Sequence, residues 1–390
     1  MQDVNLLWVP HASWSTPQRA KQFCEELART CHVHVIDFYT GSRGFPDYIS
    51  TEYARSMIPG RRRSTDGIEI HHIPRFAPSL FSRSLRRLNN NLAYRSIRSI
   101  IESESISNVI GSFVTPPPSC RNLIFDIFDP NPRLWLDSGR PNRGYAQEIQ
   151  TIEEAYLKKA DVVTAAGTIL AYMYPYHKEI QVIPNGVRLS AYDHSDGQMA
   201  RKKLDFEDST LAVYSGYLES IEEAKLLLES VRIARKFTDL GLMLIGRGRG
   251  YEWFKRECEG MARIAFLGRV QDSELVRLIS AADIALCPYG EFRSSWVPSA
   301  VTRKIENSSD PFYSSSMKLI EYSAAGLPTV CTNQISYNRI GFENVVFTGF
   351  KAEEFARGIL QAAKMKKQRP SGIHEYDLPR LAGRFRNLLQ

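Results

Sequence analysis

The sequence predicts an α/β chain built as two doubly wound, Rossmann-like domains that face a central cleft. Three observations carry that expectation. Short β-rich runs alternate with helical stretches over almost the whole length. Most of those runs are continuously apolar, as parallel strands covered on both faces must be. At 390 residues the chain is also too long for one ordinary core, since domains typically hold roughly 100–200 residues.

Taken in order, strands of the first domain are expected at 6–9, 33–38, 68–73, 108–113, 123–128, 162–164 and 181–183. Those of the second are expected at 211–215, 242–245, 265–267, 284–287 and 329–331. Their alternation with helices points to parallel sheets with helices on both faces. The turn Ile183-Pro-Asn-Gly-Val187 and the polar stretch after it suggest a linker at 186–208. The expected domains are therefore 1–190 and 191–375, with a helix at 376–390 that can pack back on the first domain. Ligands of open α/β sheets bind outside the carboxyl ends of the strands. Residues just after each strand are thus the candidates for function.

Hydrophobic residues make up 43% of the chain and charged residues 24%, which is ordinary globular composition. Cys24, Cys31, Cys120, Cys258, Cys287 and Cys331 lack zinc-ligand or redox spacing. They read as reduced thiols of a cytoplasmic protein. Met1-Gln-Asp-Val leads straight into an apolar run without a basic segment, so no signal peptide is expected. No apolar run approaches the ~20 residues that span a bilayer. Attachment to the inner face of the plasma membrane stays open.

The net charge of +7 is unevenly spread. Arg61, Arg62, Arg63, Arg75, Arg83, Arg86, Arg87, Arg95 and Arg98 face only two nearby acids, Asp66 and Glu69. Such a segment suits an anionic partner. On a helix, Phe81, Leu85, Leu88 and Leu92 share one face, with Arg83, Arg86, Arg87 and Arg98 opposite. That helix can rest on anionic lipid, or it can be core-packed with a solvated basic face. Nucleic acid is not expected, because no binding module accompanies the charge.

The strongest motif is Tyr313-Ser-Ser-Ser-Met-Lys318-Leu-Ile-Glu321-Tyr-Ser-Ala-Ala-Gly326-Leu-Pro328. Serines suit a helix N-cap, Gly326 suits the residue past its end, and Pro328 prevents continuation. Lys318 and Glu321 then lie on one helical face. A helix N-terminus with a lysine can hold a diphosphate, and a carboxylate one turn later can accept ribose hydroxyls. A merely solvated Lys–Glu pair has the same spacing. Gly246 and Gly248 suit either a tight turn or an approach of backbone to phosphate. Arg247, Arg249 and Arg269 are either exposed arginines or extra charge near a donor.

These residues resemble the donor-site helix of GT-B glycosyltransferases. The Ile183–Val187 turn, Ser215-Gly216, Ile245-Gly-Arg-Gly248 and Phe266-Leu-Gly-Arg-Val270 are similar to that family too, in the same order. The resemblance implies a donor-binding set of Gly216, Tyr217, Gly246, Arg247, Gly248, Arg269, Val270, Tyr289, Tyr313, Ser315, Ser316, Met317, Lys318 and Glu321. In this family the backbone at 266–270 typically pairs with the nucleobase. Catalysis in the family is typically metal-independent, so no cofactor or metal is expected.

In the first domain, Pro10-His11-Ala-Ser-Trp-Ser-Thr16-Pro-Gln-Arg19 resembles the xanthan-type glucuronosyltransferases, as does Ser315 to Leu319. That resemblance implies acceptor contacts from His11, Thr16 and Arg19, a UDP-linked donor and a lipid-linked saccharide acceptor. His11 equally reads as a hydrogen-bonded loop residue. Asp129 ends a buried strand and can act as general base, the role its counterpart has in the xanthan-type enzymes. It can also be a cap before Pro-Asn-Pro, and Asp126 competes for the role. Many retaining relatives carry a glutamate eight residues before the one matching Glu321; here that position is Tyr313. Inversion is therefore expected. The alternatives are a retaining GT4-like hexosyltransferase, a nucleotide-sugar epimerase and an inactive nucleotide-binding scaffold. The connection 288–314, with Tyr289, Arg293, Trp296 and Arg303, has a length that suits a lid over the donor.

Overall fold

In the computed structural model the apolar runs become strands with both faces covered. The structure describes residues 4–390 apart from 11–13, 15–18, 39–56, 65, 77–82, 113–114, 130–142, 175–178, 194–196, 291–298, 309–311, 314–315 and 334–339. The chain forms two units, Met1–Pro184 with Leu378–Gln390, and Asn185–Asp377.

The strands of the first unit are β1 (Asn5–Val9), β2 (His32–Phe38), β3 (Gly60–Arg63), β4 (Glu69–Ile73), β5 (Asn108–Gly111), β6 (Asn122–Ile127), β7 (Val162–Ala165) and β8 (Ile180–Val182). They lie in the order β3-β4-β2-β1-β5-β6-β7-β8. Only β3 runs antiparallel to its described neighbour. Alternate residues of β1 enter different cores. Leu7 and Val9 join Ile97, Ile101 and Tyr156, while Leu6 and Trp8 join Phe23 and Phe385. That alternation is why β1 is apolar throughout. Phe385 belongs to the C-terminal helix Leu378–Arg386 and meets the rings of Trp8 and Phe23 edge-on at 5.3 and 4.8 Å.

The second unit contains β9 (Thr210–Tyr217), β10 (Leu240–Arg247), β11 (Ile264–Gly268), β12 (Ile284–Cys287), β13 (Thr329–Thr332) and β14 (Val345–Thr348). Their order is β11-β10-β9-β12-β13-β14, parallel throughout. The strand order reverses direction between β9 and β12, the crevice position at which such sheets bind ligands. Tyr214 of β9 packs with Leu227, Phe254 and Phe355. Leu211 and Val213 face the other side with Leu319 and Tyr322. The stretch 186–208 holds two helices, Ser190–Asp193 and Gly197–Lys203. Arg201 ties the latter to Asp283 at 2.8 Å.

Helix Arg83–Ser103 corrects the amphipathic face read from sequence. Its buried side is Arg86, Asn89, Ala93, Ile97 and Ile101, while Leu88 is exposed. Arg86 is only 8% exposed because Glu148 receives its guanidinium at 2.5 and 3.1 Å. Arg83 and Arg87 remain on the solvent side. Phe81 lies outside the described residues. No helix among the described residues is long and apolar enough to cross a membrane.

Candidate functional site

The second unit places its described candidate residues at the carboxyl ends of β9, β10, β11 and β12 and at the start of helix Met317–Ala324. That helix begins at Ser316, whose side chain makes no cap bond to its first turn. The Ser316 hydroxyl instead shares a 2.9 Å hydrogen bond with the Tyr289 hydroxyl. Gly326, at φ +70°, ends the helix in the left-handed conformation that glycine accepts.

Lys318 is the centre of this arrangement. Its ammonium donates to the Tyr214 hydroxyl at 2.9 Å. It also sits 4.4 Å from the Tyr214 ring centre and 5.0 Å from that of Tyr289. Among the described residues no carboxylate comes within ion-pairing distance of it. The lysine stem passes over Gly216, where a β-carbon would lie 2.5 Å from Cε. Gly216 is therefore required by the path of Lys318 as well as by its φ of +123°.

Glu321 lies one turn further on and is half-buried. Loss of hydration raises its carboxyl to about 7, with Asp272 adding to the rise and Lys318 opposing it. No hydrogen bond reaches its carboxylate from any described residue. A cation and a carboxyl group raised to about 7 thus stand on one helix face, without an ion pair to any described residue.

Gly246, next to last in β10, and Gly248, just past it, are both held by close packing against β9 and the residue after it. A β-carbon on Gly246 would lie 1.9 Å from the Gly216 carbonyl, and one on Gly248 would lie 2.2 Å from that of Leu218. Both glycines let β9 and β10 run side by side through Gly216–Gly246 and Tyr217–Arg247. Arg249 donates to Glu219 at 2.7 Å; Arg247, Arg269 and Tyr217 are exposed. Val270 is half-buried, and the Gly268 amide donates to the Tyr251 hydroxyl at 3.0 Å. Tyr313 and Met317 pack on the apolar cluster of Val187, Ile320 and Tyr376. Ser315, Arg293 and Trp296 lie outside the described residues, and Arg303 falls in helix Ser299–Glu306.

Residues 209–365 match the family model described as glycosyl transferases group 1. That match lies within the second unit and spans less than half of the chain. No curated protein matches the sequence significantly. Among solved structures, the chain resembles sucrose-phosphate synthase from Thermosynechococcus elongatus at 14% identity and TM-score 0.63, covering 99% of this chain and 95% of that one. It is equally similar to WaaG, a glycosyltransferase involved in lipopolysaccharide biosynthesis, at 14% identity and TM-score 0.63, with 99% of each chain covered. Anabaena HepE in complex with UDP and glucose gives 13% identity and TM-score 0.60, with 98% of each covered. At such identities these likenesses establish the fold: two parallel-sheet domains of the GT-B class.

Two residues around the candidate site were not singled out from sequence. Tyr214 looked like one more apolar strand position. Glu223 is buried and accepts the Gly290 amide at 2.7 Å, which fixes the turn just past Tyr289. Its amide donates to Ser220 at the helix start. The Ser220-Ile-Glu-Glu223 spacing of a capping box was the available signal.

In the first unit, Asp126 is 1% exposed and takes two bonds from Arg19, at 2.9 and 3.1 Å, and one from Thr164 at 2.7 Å. Arg19 also donates to the carbonyls of Ile183 and Pro184. Its guanidinium thus ties together elements of the first unit. Asp129 emerges two residues past β6 and is exposed. His11 and Thr16 lie outside the described residues.

Proposed function

We propose that the chain is an inverting glycosyltransferase that uses a nucleoside-diphosphate sugar. The donor is a UDP-sugar, with UDP-glucuronate favoured by the resemblance to the xanthan-type enzymes. The acceptor is a lipid-linked oligosaccharide in bacterial polysaccharide assembly. The observation that carries the reading is the pairing of the un-neutralised Lys318 ammonium with the unbonded Glu321 carboxylate on one helix face. Lys318 and the first-turn amides suit a diphosphate, and Glu321 suits the ribose hydroxyls. The Anabaena relative's complex with UDP and glucose supports the donor class.

In this mechanism Asp129 takes the proton of an acceptor hydroxyl as its oxygen attacks the anomeric carbon. The bond from that carbon to the diphosphate breaks, and Lys318 with the helix amides stabilises the negative charge that leaves. Asp126 is excluded from the role by its burial against Arg19. Inversion is supported by Tyr313, which stands where retaining relatives hold an acid and packs edge-on to Tyr376 at 6.2 Å. Asp129→Asn is expected to lower transfer by about 10²–10⁴ with donor binding intact. Normal turnover in that variant would remove Asp129 from the mechanism.

A membrane-surface role belongs to the same proposal. Exposed Arg83 and Arg87 precede exposed Leu88 on one helix, Arg83 lying 3.9 Å from Glu148, and anionic lipid attracts such basic side chains at about 1 kcal/mol each. Arg86 takes no part, being held by Glu148. Reversal of both exposed charges should abolish co-sedimentation with anionic vesicles; retained binding would refute the role.

A further inference from the structure

We infer that Tyr214 is a positioning residue for Lys318, and through it a determinant of diphosphate recognition. The inference rests on the proposed donor site and adds a residue to it. Four observations meet at this point. The Lys318 ammonium makes its one described hydrogen bond to the neutral Tyr214 hydroxyl, at 2.9 Å. Two tyrosine rings, Tyr214 and Tyr289, stand 4.4 and 5.0 Å from the same nitrogen. Tyr289 is itself fixed to Ser316 at the helix start, so the ammonium and the helix N-terminus are held relative to each other. Gly216 leaves the gap through which the lysine stem passes.

The chemistry explains why the partner is a tyrosine. A flexible lysine loses rotamer freedom when it binds an anion, and a partner that holds it beforehand removes that cost. A carboxylate partner would also neutralise the charge. A neutral phenol fixes one of the three ammonium donors and leaves the positive charge and two donors for phosphate oxygens. The aromatic faces stabilise the cation without competing for those donors. Tyr214 is fully buried with its ring in the core, so its hydroxyl is held rigidly.

The test is a double-mutant cycle of Tyr214→Phe with Lys318→Ala. The probes are UDP, GDP, ADP, CDP and dTDP, and the nucleoside of whichever diphosphate binds the wild-type protein best. Phenylalanine keeps the ring and its packing. Tyr214→Phe is expected to lower diphosphate affinity roughly 3- to 10-fold, the scale of a lost hydrogen bond. Nucleoside affinity should stay unchanged, and Tyr214→Phe should add no loss in the Lys318→Ala background. Unchanged diphosphate affinity, an equal loss for the nucleoside, or full additivity would overturn the inference. If Lys318→Ala itself leaves diphosphate affinity intact, or no probe binds, the donor-site reading fails with it.

Discussion

Arg19 and Asp126 form a two-point ion pair in the interior of the first unit, with Nε–Oδ2 at 2.9 Å and side chains 6% and 2% exposed. Arg19 also lies over the Phe23 and Phe385 rings, at 4.6 and 5.3 Å. The pair therefore joins helix Arg19–Leu27, β6 and the C-terminal helix. Asp126→Ala strands a buried guanidinium and is expected to cost about 3–5 kcal/mol in urea unfolding. An Arg19→Met, Asp126→Leu double variant removes both charges and should cost less. A loss below about 1 kcal/mol for Asp126→Ala, the range of exposed pairs, would contradict this arrangement.

Glu153 gives a pH dependence of stability. It is 7% exposed, accepts the Tyr174 hydroxyl at 2.7 Å, and is raised by burial from 4.5 to about 7. An acid whose folded value is raised stays protonated while the unfolded chain ionises. Stability is thus lost as pH rises from about 4.5 to 7, then levels off. Glu153→Gln should match the wild type at pH 4.5 and exceed it at pH 8 by on the order of 2–3 kcal/mol. A pH-independent difference would remove Glu153 as the cause.

Gly246 should tolerate no side chain. Its φ of +132° and the 1.9 Å approach of a β-carbon to the Gly216 carbonyl act together. Gly246→Ala is expected to cost roughly 2–5 kcal/mol in denaturant titration, from strain plus overpacking. A shift within the ordinary surface range of about 0.5 kcal/mol would contradict the close pairing of β9 and β10.

Glu321 should make nucleotide binding pH-dependent. Its carboxyl titrates at about 7, and ribose hydroxyls donate to the ionised form. Affinity should therefore rise about tenfold from pH 6 to pH 8. Terminal phosphates titrate near pH 6 themselves, so the measured quantity is the ratio of wild type to Glu321→Gln. Glu321→Ala should lose about 1.5–3 kcal/mol of binding. A flat ratio and an unchanged affinity would together remove the ribose assignment.

The central strands were legible because continuous apolar runs have one structural reading when helices alternate with them. Two edge strands were not. β3 is Gly-Arg-Arg-Arg, exposed at every position, and pairs antiparallel to β4 at the sheet border. β14 is four residues long and only partly covered, too short to announce a period. The motif Ser316 to Pro328 disclosed where its helix starts and stops, since Gly326 and Pro328 act locally. Ser316, however, turns its hydroxyl to Tyr289 instead of capping the first turn. What stayed hidden was tertiary. Arg86 looked solvent-facing because its partner, Glu148, is 62 residues away. Tyr214 looked like core because nothing in β9 reveals that a lysine 104 residues later reaches its hydroxyl.

The most direct measurement is thermal stability of the protein against UDP, GDP, ADP, CDP and dTDP, with Lys318→Ala alongside. One nucleoside diphosphate, UDP, is expected to raise the melting temperature selectively, and that rise is expected to vanish in the variant. No shift with any nucleotide at concentrations well above millimolar, or a shift that survives Lys318→Ala, would contradict a donor site on helix Met317–Ala324.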